Sequence, residues 1–141
     1  MTQVDLVTHS SVTIDAPAER VWPLVLDPND WKQGLLPVRV AGEPNAVGEI
    51  REARSGEARL GVETVVLRGF RKVVKLTSGS PLDPAWATWQ LREDDGTTTV
   101  TYDVYGQLDI GDADPGAYVR TNQDRFDNEL LALKALAEAV R

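Results

Sequence analysis

The amino-acid sequence predicts an α+β domain: a curved antiparallel sheet of about six or seven strands wrapped around one long C-terminal helix. Three observations predict it. Strand-like segments follow one another without a break from Val47 to Ile110, as in an antiparallel meander. A single apolar stripe at helical spacing then occupies the end of the chain. In IDAPAERVW, Ile14 to Trp22, a strand gives way to a helix within a few residues.

The 141 residues suit one domain, residues 1–141, and 42% hydrophobic content is enough to bury a core. The net charge of −7 argues against nucleic acid or an anionic membrane as the main partner, since both reward clustered cations. There is no cysteine, hence no disulfide, thiol nucleophile or thiolate metal site. The opening MTQVDLVTHSS has no basic segment followed by an apolar run. No stretch approaches the roughly 18–20 apolar residues that span a bilayer. A cytoplasmic protein without integral membrane association is expected, as a monomer or weak homodimer.

The elements follow in order. Val4 to Asp15 reads as a strand, with Val12 and Ile14 alternating with polar neighbours. Pro17 ends it, having no N–H for a ladder, and suits the first position of a helix. Glu19 lies in the first turn, and Val21, Trp22, Val25 and Leu26 recur at helical spacing up to Leu26, with Pro23 expected to kink or shorten the helix. In DPNDWKQ, Asp27 can cap, Pro28 can start and Trp31 can bury one face of a second short helix. Pro37 and Pro44 bound an edge segment, Val38 to Ala41. The meander then runs through Gly48 to Arg54, Arg59 to Arg68, Lys72 to Ser78, Ala85 to Arg92 and Thr97 to Ile110. Asp95-Gly96 is fit for a tight hairpin at positive φ. Val100, Tyr102, Val104, Leu108 and Ile110 share one parity and Thr99, Thr101, Asp103 and Gln107 the other, so one face is buried. After GDADPG the final helix runs from Pro115 or Gly116 to Val140, with Val119, Asn122, Phe126, Leu130, Leu133, Ala137 and Val140 on one stripe. At 1.5 Å per residue it spans roughly 35 Å, the width of a small domain.

With these pieces in place the chain resembles the START-like superfamily, also called SRPBCC, whose fold is the helix-grip of the birch pollen allergen. IDAPAERVW is similar to its opening signature, DPNDW to the segment after the first helix and VGEIR, Val47 to Arg51, to the start of the meander. WQLREDDGTTTVTY, Trp89 to Tyr102, resembles the penultimate hairpin. The likeness covers nearly the whole chain and is greatest to the small bacterial proteins named polyketide cyclase/dehydrase and lipid-transport proteins. It implies two short helices cradling the long one, with Val21 and Trp22 as structural anchors, and a cavity between sheet and helix.

The resemblance also implies the candidate residues. Trp89 and Tyr102 stand where family members line the cavity, and read equally well as ordinary core. Arg51 matches a position where polyketide cyclases of this fold place a cavity-facing arginine. A buried guanidinium there can polarise a ketone or hold an enolate oxygen; the competing reading is a surface strand residue. Glu63 is a candidate partner for Arg51 or, if desolvated, a base, against a plain surface role. The first half of the last helix faces the cavity, so Asn122 and Gln123 can hydrogen-bond a ligand and Phe126 can stack on it. Tyr118, Trp31 and Trp86 are candidates for the mouth. His9, the single histidine, reads as an exposed strand residue, and the chain offers neither a Cys–His dyad nor a zinc set. Asp109, Asp112 and Asp114 read as a solvated turn with a helix N-cap. The cations from Arg68 to Lys75 read as a solvated strand face. No phosphate loop is present, and no cofactor or metal is expected.

Three functions fit. The first is binding of a hydrophobic small molecule, such as a lipid, polyketide or isoprenoid, with Arg51, Trp89, Tyr102, Asn122 and Phe126 around it. The second is a polyketide aromatase/cyclase or dehydratase with Arg51, Glu63 and Tyr102 as catalytic groups. The third is a non-catalytic interaction or stress-related module, like the chaperone-activating branch of the superfamily.

Overall fold

Strand β1 (Gln3–Ile14) leads into helix α1 (Ala18–Leu26). Strands β2 (Leu36–Ala41), β3 (Ile50–Ser55), β4 (Ala58–Arg68), β5 (Arg71–Ser78), β6 (Leu82–Asp94) and β7 (Thr97–Asp109) follow, and helix α2 (Pro115–Ala139) ends the chain. The computed structural model describes residues 3–28, 31, 36–55, 58–78 and 82–139. The expected second short helix falls largely outside these residues; of its span, Pro28 and Trp31 are described and both are buried.

The strands form one antiparallel sheet in the order β1-β7-β6-β5-β4-β3-β2. Every neighbour pair is consecutive in sequence except β1 with β7, which pairs Gln3 with Asp109 and Ile14 with Thr98. The sheet buries one face. Leu6, Thr8, Ser10, Val12 and Ile14 of β1 alternate with exposed residues, and Ala85, Ala87, Trp89 and Leu91 of β6 and Val100, Tyr102 and Val104 of β7 alternate with exposed or half-buried ones. Phe126, Leu130, Leu133 and Ala137 of α2 and Ala18, Val21 and Val25 of α1 complete the core. No helix among the described residues is long and apolar enough to cross a membrane.

The switch from β1 to α1 is held by the far hairpin. Pro17 sits just before the helix, at φ −69° and ψ 154°, rather than as its first helical residue. The Ala18 amide donates to Glu93 Oε1 at 2.6 Å, and the buried Thr98 hydroxyl donates to the Ala16 carbonyl at 2.7 Å. A strand glutamate thus serves one of the orphan amides of the helix start. Pro23 lies inside α1 without ending it; the helix runs on to Leu26 and closes with the Asp27 amide on the Pro23 carbonyl at 3.0 Å. Helix α2 begins as the sequence implies, with the Asp114 carboxylate accepting from the Ala117 amide at 2.8 Å and Pro115 in the first turn.

Helix α2 also solves an edge problem. Strand β1 is a sheet edge, so alternate backbone groups lack a ladder partner. Gln123 covers His9 on both sides: its Oε1 accepts from the His9 amide at 3.1 Å and its Nε2 donates to the His9 carbonyl at 2.8 Å. Further along, Lys134 donates to the Thr13 carbonyl at 2.7 Å and Glu138 accepts from the Asp15 amide at 2.8 Å. Polar side chains of the helix thus continue the sheet's hydrogen bonding where the strands stop.

Candidate functional site

A straight helix fastened to one edge of a curved sheet diverges from the strands further in. The backbone of α2 approaches the sheet chiefly at β1. Large side chains fill the wedge that opens toward β6. Trp89 and Tyr102 are cross-strand partners on the buried face, stacked at 3.8 Å between centroids with 22° between planes. Phe126 of α2 meets Tyr102 edge-on at 5.2 Å, and Trp31 meets Trp89 edge-on at 5.5 Å while its indole N–H donates to the Leu24 carbonyl at 2.7 Å. All four rings are buried. Such edge and offset contacts add about 0.5–1.5 kcal/mol each beyond area burial. Trp31, Trp89, Tyr102 and Phe126 therefore form one continuous aromatic wall from the end of α1 to the middle of α2.

Asn122, one turn before Phe126, is half-buried and donates to the Tyr118 carbonyl at 3.0 Å. Gln123 is turned to β1, where it also donates to Ser10 Oγ at 2.9 Å and Asp127 at 2.9 Å. Tyr118 is half-buried against the core.

Arg51 is placed differently. Its Nε donates to Glu49 at 3.0 Å, Nη1 to the Leu26 carbonyl at 2.9 Å and Nη2 to Asn45 Oδ1 at 2.7 Å. The Glu49 side chain is 1% exposed and that of Arg51 14%. The guanidinium therefore ties together the C-terminal end of α1, where a cation is favoured, and the turn from β2 to β3. That turn depends on Gly42 at φ +83°, where a Cβ would come within 2.8 Å of the Gly48 carbonyl oxygen, and on Asn45 at φ 54°. The carboxylate that Arg51 meets is Glu49. Glu63, the expected partner, stands in register with Ile50 and Lys75, while Val62 is opposite Arg51.

Besides Glu49, two further ionisable groups are buried against or without expectation from the sequence. Lys72, assigned there to a solvated face, is 7% exposed and lies across the ladder from Leu67 on one side and Trp89 on the other. It shares the buried face of the sheet with Trp89, its cross-strand partner on β6. Glu129 is 4% exposed on α2, beside Leu130. Both residues engage other groups. Arg68 and Arg71 are exposed as expected. Trp86, a candidate for the mouth, faces the opposite side of β6 from Trp89, 36% exposed with Lys75 over its ring at 5.3 Å. His9 is an exposed strand residue whose ring meets Asp103.

At the far end of the wedge, the tip of the β4–β5 hairpin and α1 enclose an open recess of about 350 Å³ lined by Trp22, Leu67, Arg68, Gly69 and Phe70. Trp22 meets Phe70 edge-on at 5.7 Å. The expected anchor Trp22 is thus half-buried and has one side on this recess, while Val21 is fully buried.

A sheet gripping a long helix around an aromatic interior defines the helix-grip class. The chain belongs to the family described as polyketide cyclase / dehydrase and lipid transport, whose profile matches residues 6–138, and with it to the START-like superfamily. Among solved structures it is similar to Ara h 8.0201, with a TM-score of 0.71 at 11% identity over 96% of this chain and 99% of that one. It is also similar to a putative uncharacterised protein from Bacillus thuringiensis, with a TM-score of 0.72 at 15% identity over 93% and 98% of the two chains. The protein XoxI from Bacillus cereus matches with a TM-score of 0.74 at 16% identity over 92% and 94%. At these identities the likeness is one of fold. No curated protein matches the chain.

Proposed function

We propose that the protein binds a hydrophobic small molecule, of lipid, polyketide or isoprenoid type, between the sheet and α2. The observation that carries this reading is the aromatic wall. Trp89, Tyr102 and Phe126 come from three separate elements and meet in the wedge between helix and sheet, with the half-buried carboxamide of Asn122 one turn away. A predominantly apolar wall with a few placed polar groups is what a small-molecule site requires. The family description, which includes lipid transport, agrees with it. A cyclase version would need Arg51 to hold an enolate oxygen, yet three of its nitrogens already donate to Glu49, Leu26 and Asn45. Binding is therefore the better supported function.

The test is a two-dimensional amide NMR titration with fatty acids, flavonoids and aromatic polyketide analogues. Saturable shifts clustered on Trp89, Tyr102, Asn122 and Phe126 are expected. A well-dispersed spectrum that none of these probes perturbs would overturn the proposal.

A further inference from the structure

The inner face of the sheet changes height beside the aromatic wall. One cross-strand row carries Ser10, Tyr102 and Trp89. Two residues along each strand, the next row carries Thr8, Val104 and Ala87, and the row after that ends in Gly106 and Ala85. Two large rings therefore stand next to a shelf of small residues on the same strands. The shelf is interior: Ala85, Ala87, Val104 and Gly106 are all buried. A closely packed helix does not account for it, because the backbone of α2 approaches the sheet chiefly at β1.

Thr8 closes the β1 end of this shelf. It is 3% exposed, and among the described residues its Oγ1 is the one buried side-chain polar atom without a hydrogen-bond partner. Other hydroxyls of the interior are met: Ser10 Oγ accepts from Gln123 at 2.9 Å, and Thr98 donates to the Ala16 carbonyl at 2.7 Å. Leaving a buried hydroxyl open is costly, and valine would fill the same space without that cost. Packing alone therefore does not call for threonine here. Helix α2 runs along β1 in the strand's own direction, with Gln123 at His9, Lys134 at Thr13 and Glu138 at Asp15. The turn before Gln123, with half-buried Tyr118, Val119 and Asn122, is thus the part of α2 on the Thr8 side.

We infer that the shelf seats an apolar ring of the ligand beside Tyr102 and Trp89, with Thr8 Oγ1 bonded to one neutral oxygen on that ring system, a hydroxyl or a ketone. A threonine hydroxyl both donates and accepts, so it serves either oxygen. The row of Thr8, Val104 and Ala87 holds no charged residue. The cation sharing this face, Lys72, lies beyond Trp89 in the neighbouring row and engages other groups. A carboxylate beside a lone hydroxyl would lack the counter-charge that a buried anion needs. The inference rests on the hydrophobic-ligand reading above and narrows its ligand class to neutral, oxygen-bearing molecules.

The experiment titrates the full chain with 2-naphthol, 2-acetylnaphthalene, 2-methylnaphthalene and 2-naphthoate, reading affinities from amide NMR shifts. Methylnaphthalene has the shape of the naphthol without its oxygen. The naphthol, the ketone or both are expected to bind about tenfold tighter than methylnaphthalene, equivalent to about 1.4 kcal/mol. Thr8→Val should erase that preference and leave the affinity for methylnaphthalene in place, while Thr8→Ser should keep the preference. In the ligand-free protein Thr8→Val should also raise the urea midpoint, because it removes an unmet buried hydroxyl. An unchanged or lower midpoint would mean that the hydroxyl is already satisfied within the protein, and would overturn the inference. A preference that survives Thr8→Val would overturn it too, as would naphthoate binding tightest of the four. Methylnaphthalene binding as well as the oxygenated probes would sink this inference and leave the hydrophobic site standing. Binding by none of the four would remove both readings.

Discussion

The β1 edge of the sheet and the tip of its β4–β5 hairpin are finished in opposite ways. At β1, helix α2 lies against the edge and its side chains continue the ladder: Gln123 on His9, Lys134 on Thr13 and Glu138 on Asp15. At the β4–β5 hairpin, beside α1, there is a strained turn, an open recess and two facing arginines. The first region spends its polar groups on structure. The second keeps cations and aromatics available. The difference teaches that one region spends its polar side chains on completing the sheet while the other leaves them exposed, and substitutions on either side test that contrast.

The largest effect is expected in the aromatic wall between the two regions. Trp89→Ala removes the ring that joins Trp31 to Tyr102 and should cost about 3–5 kcal/mol in urea unfolding. A loss below about 1 kcal/mol would mean that the wall collapses easily around a void and is not a rigid lining. Next comes Arg51→Met, which leaves the Glu49 carboxylate buried and unpaired. It should destabilise by about 3 kcal/mol, and adding Glu49→Leu should recover much of that. Should Arg51→Met leave stability unchanged, the knot at the end of α1 is not structural, and Arg51 returns as a candidate for chemistry.

A smaller loss is expected at the closed edge. Gln123→Ala should cost about 1–2 kcal/mol and speed hydrogen exchange at the His9 amide. Unaltered exchange there would show that α2 does not protect β1 through this side chain. The smallest effect belongs to the open hairpin tip. Phe70→Asn keeps a residue tolerant of the left-handed turn and loses one exposed ring contact, so stability should stay within about 0.5 kcal/mol while the recess widens. A large destabilisation would make Phe70 part of the core and erase the contrast between the two regions.

Most of the architecture was legible in the sequence because its signals are local. The period-2 alternation of β7, the Asp95-Gly96 turn, the stripe of α2 and the Pro17 break each depend on neighbours in the chain. That Trp89, Tyr102 and Phe126 lie on inner faces was legible too, from burial parity and the helix stripe, but their contact with one another was not. What escaped depends on register and long-range return. Lys72 faces inward because the register of β5 sets it opposite Trp89, a pairing between strands that the residues around Lys72 do not reveal. Arg51 reaches the Leu26 carbonyl and Asn45 only because the chain folds back, with Gly42 and Asn45 in the left-handed conformation at the β2–β3 turn. The recess exists because Phe70 occupies a backbone conformation that Gly-Phe does not advertise.

The pairing of β1 with β7 also sets a schedule. Gln3 sits opposite Asp109, so the first strand made must wait for the last before it can join the sheet. Helix α1 waits as well, because its opening amide is capped by Glu93 and the residue before its proline is held by Thr98. Closing so long a loop is entropically slow, and contacts this distant in sequence lengthen the search. During synthesis strand β1 therefore emerges as an unpaired amphipathic ribbon, and the sheet closes on it only when the β6–β7 hairpin has left the ribosome.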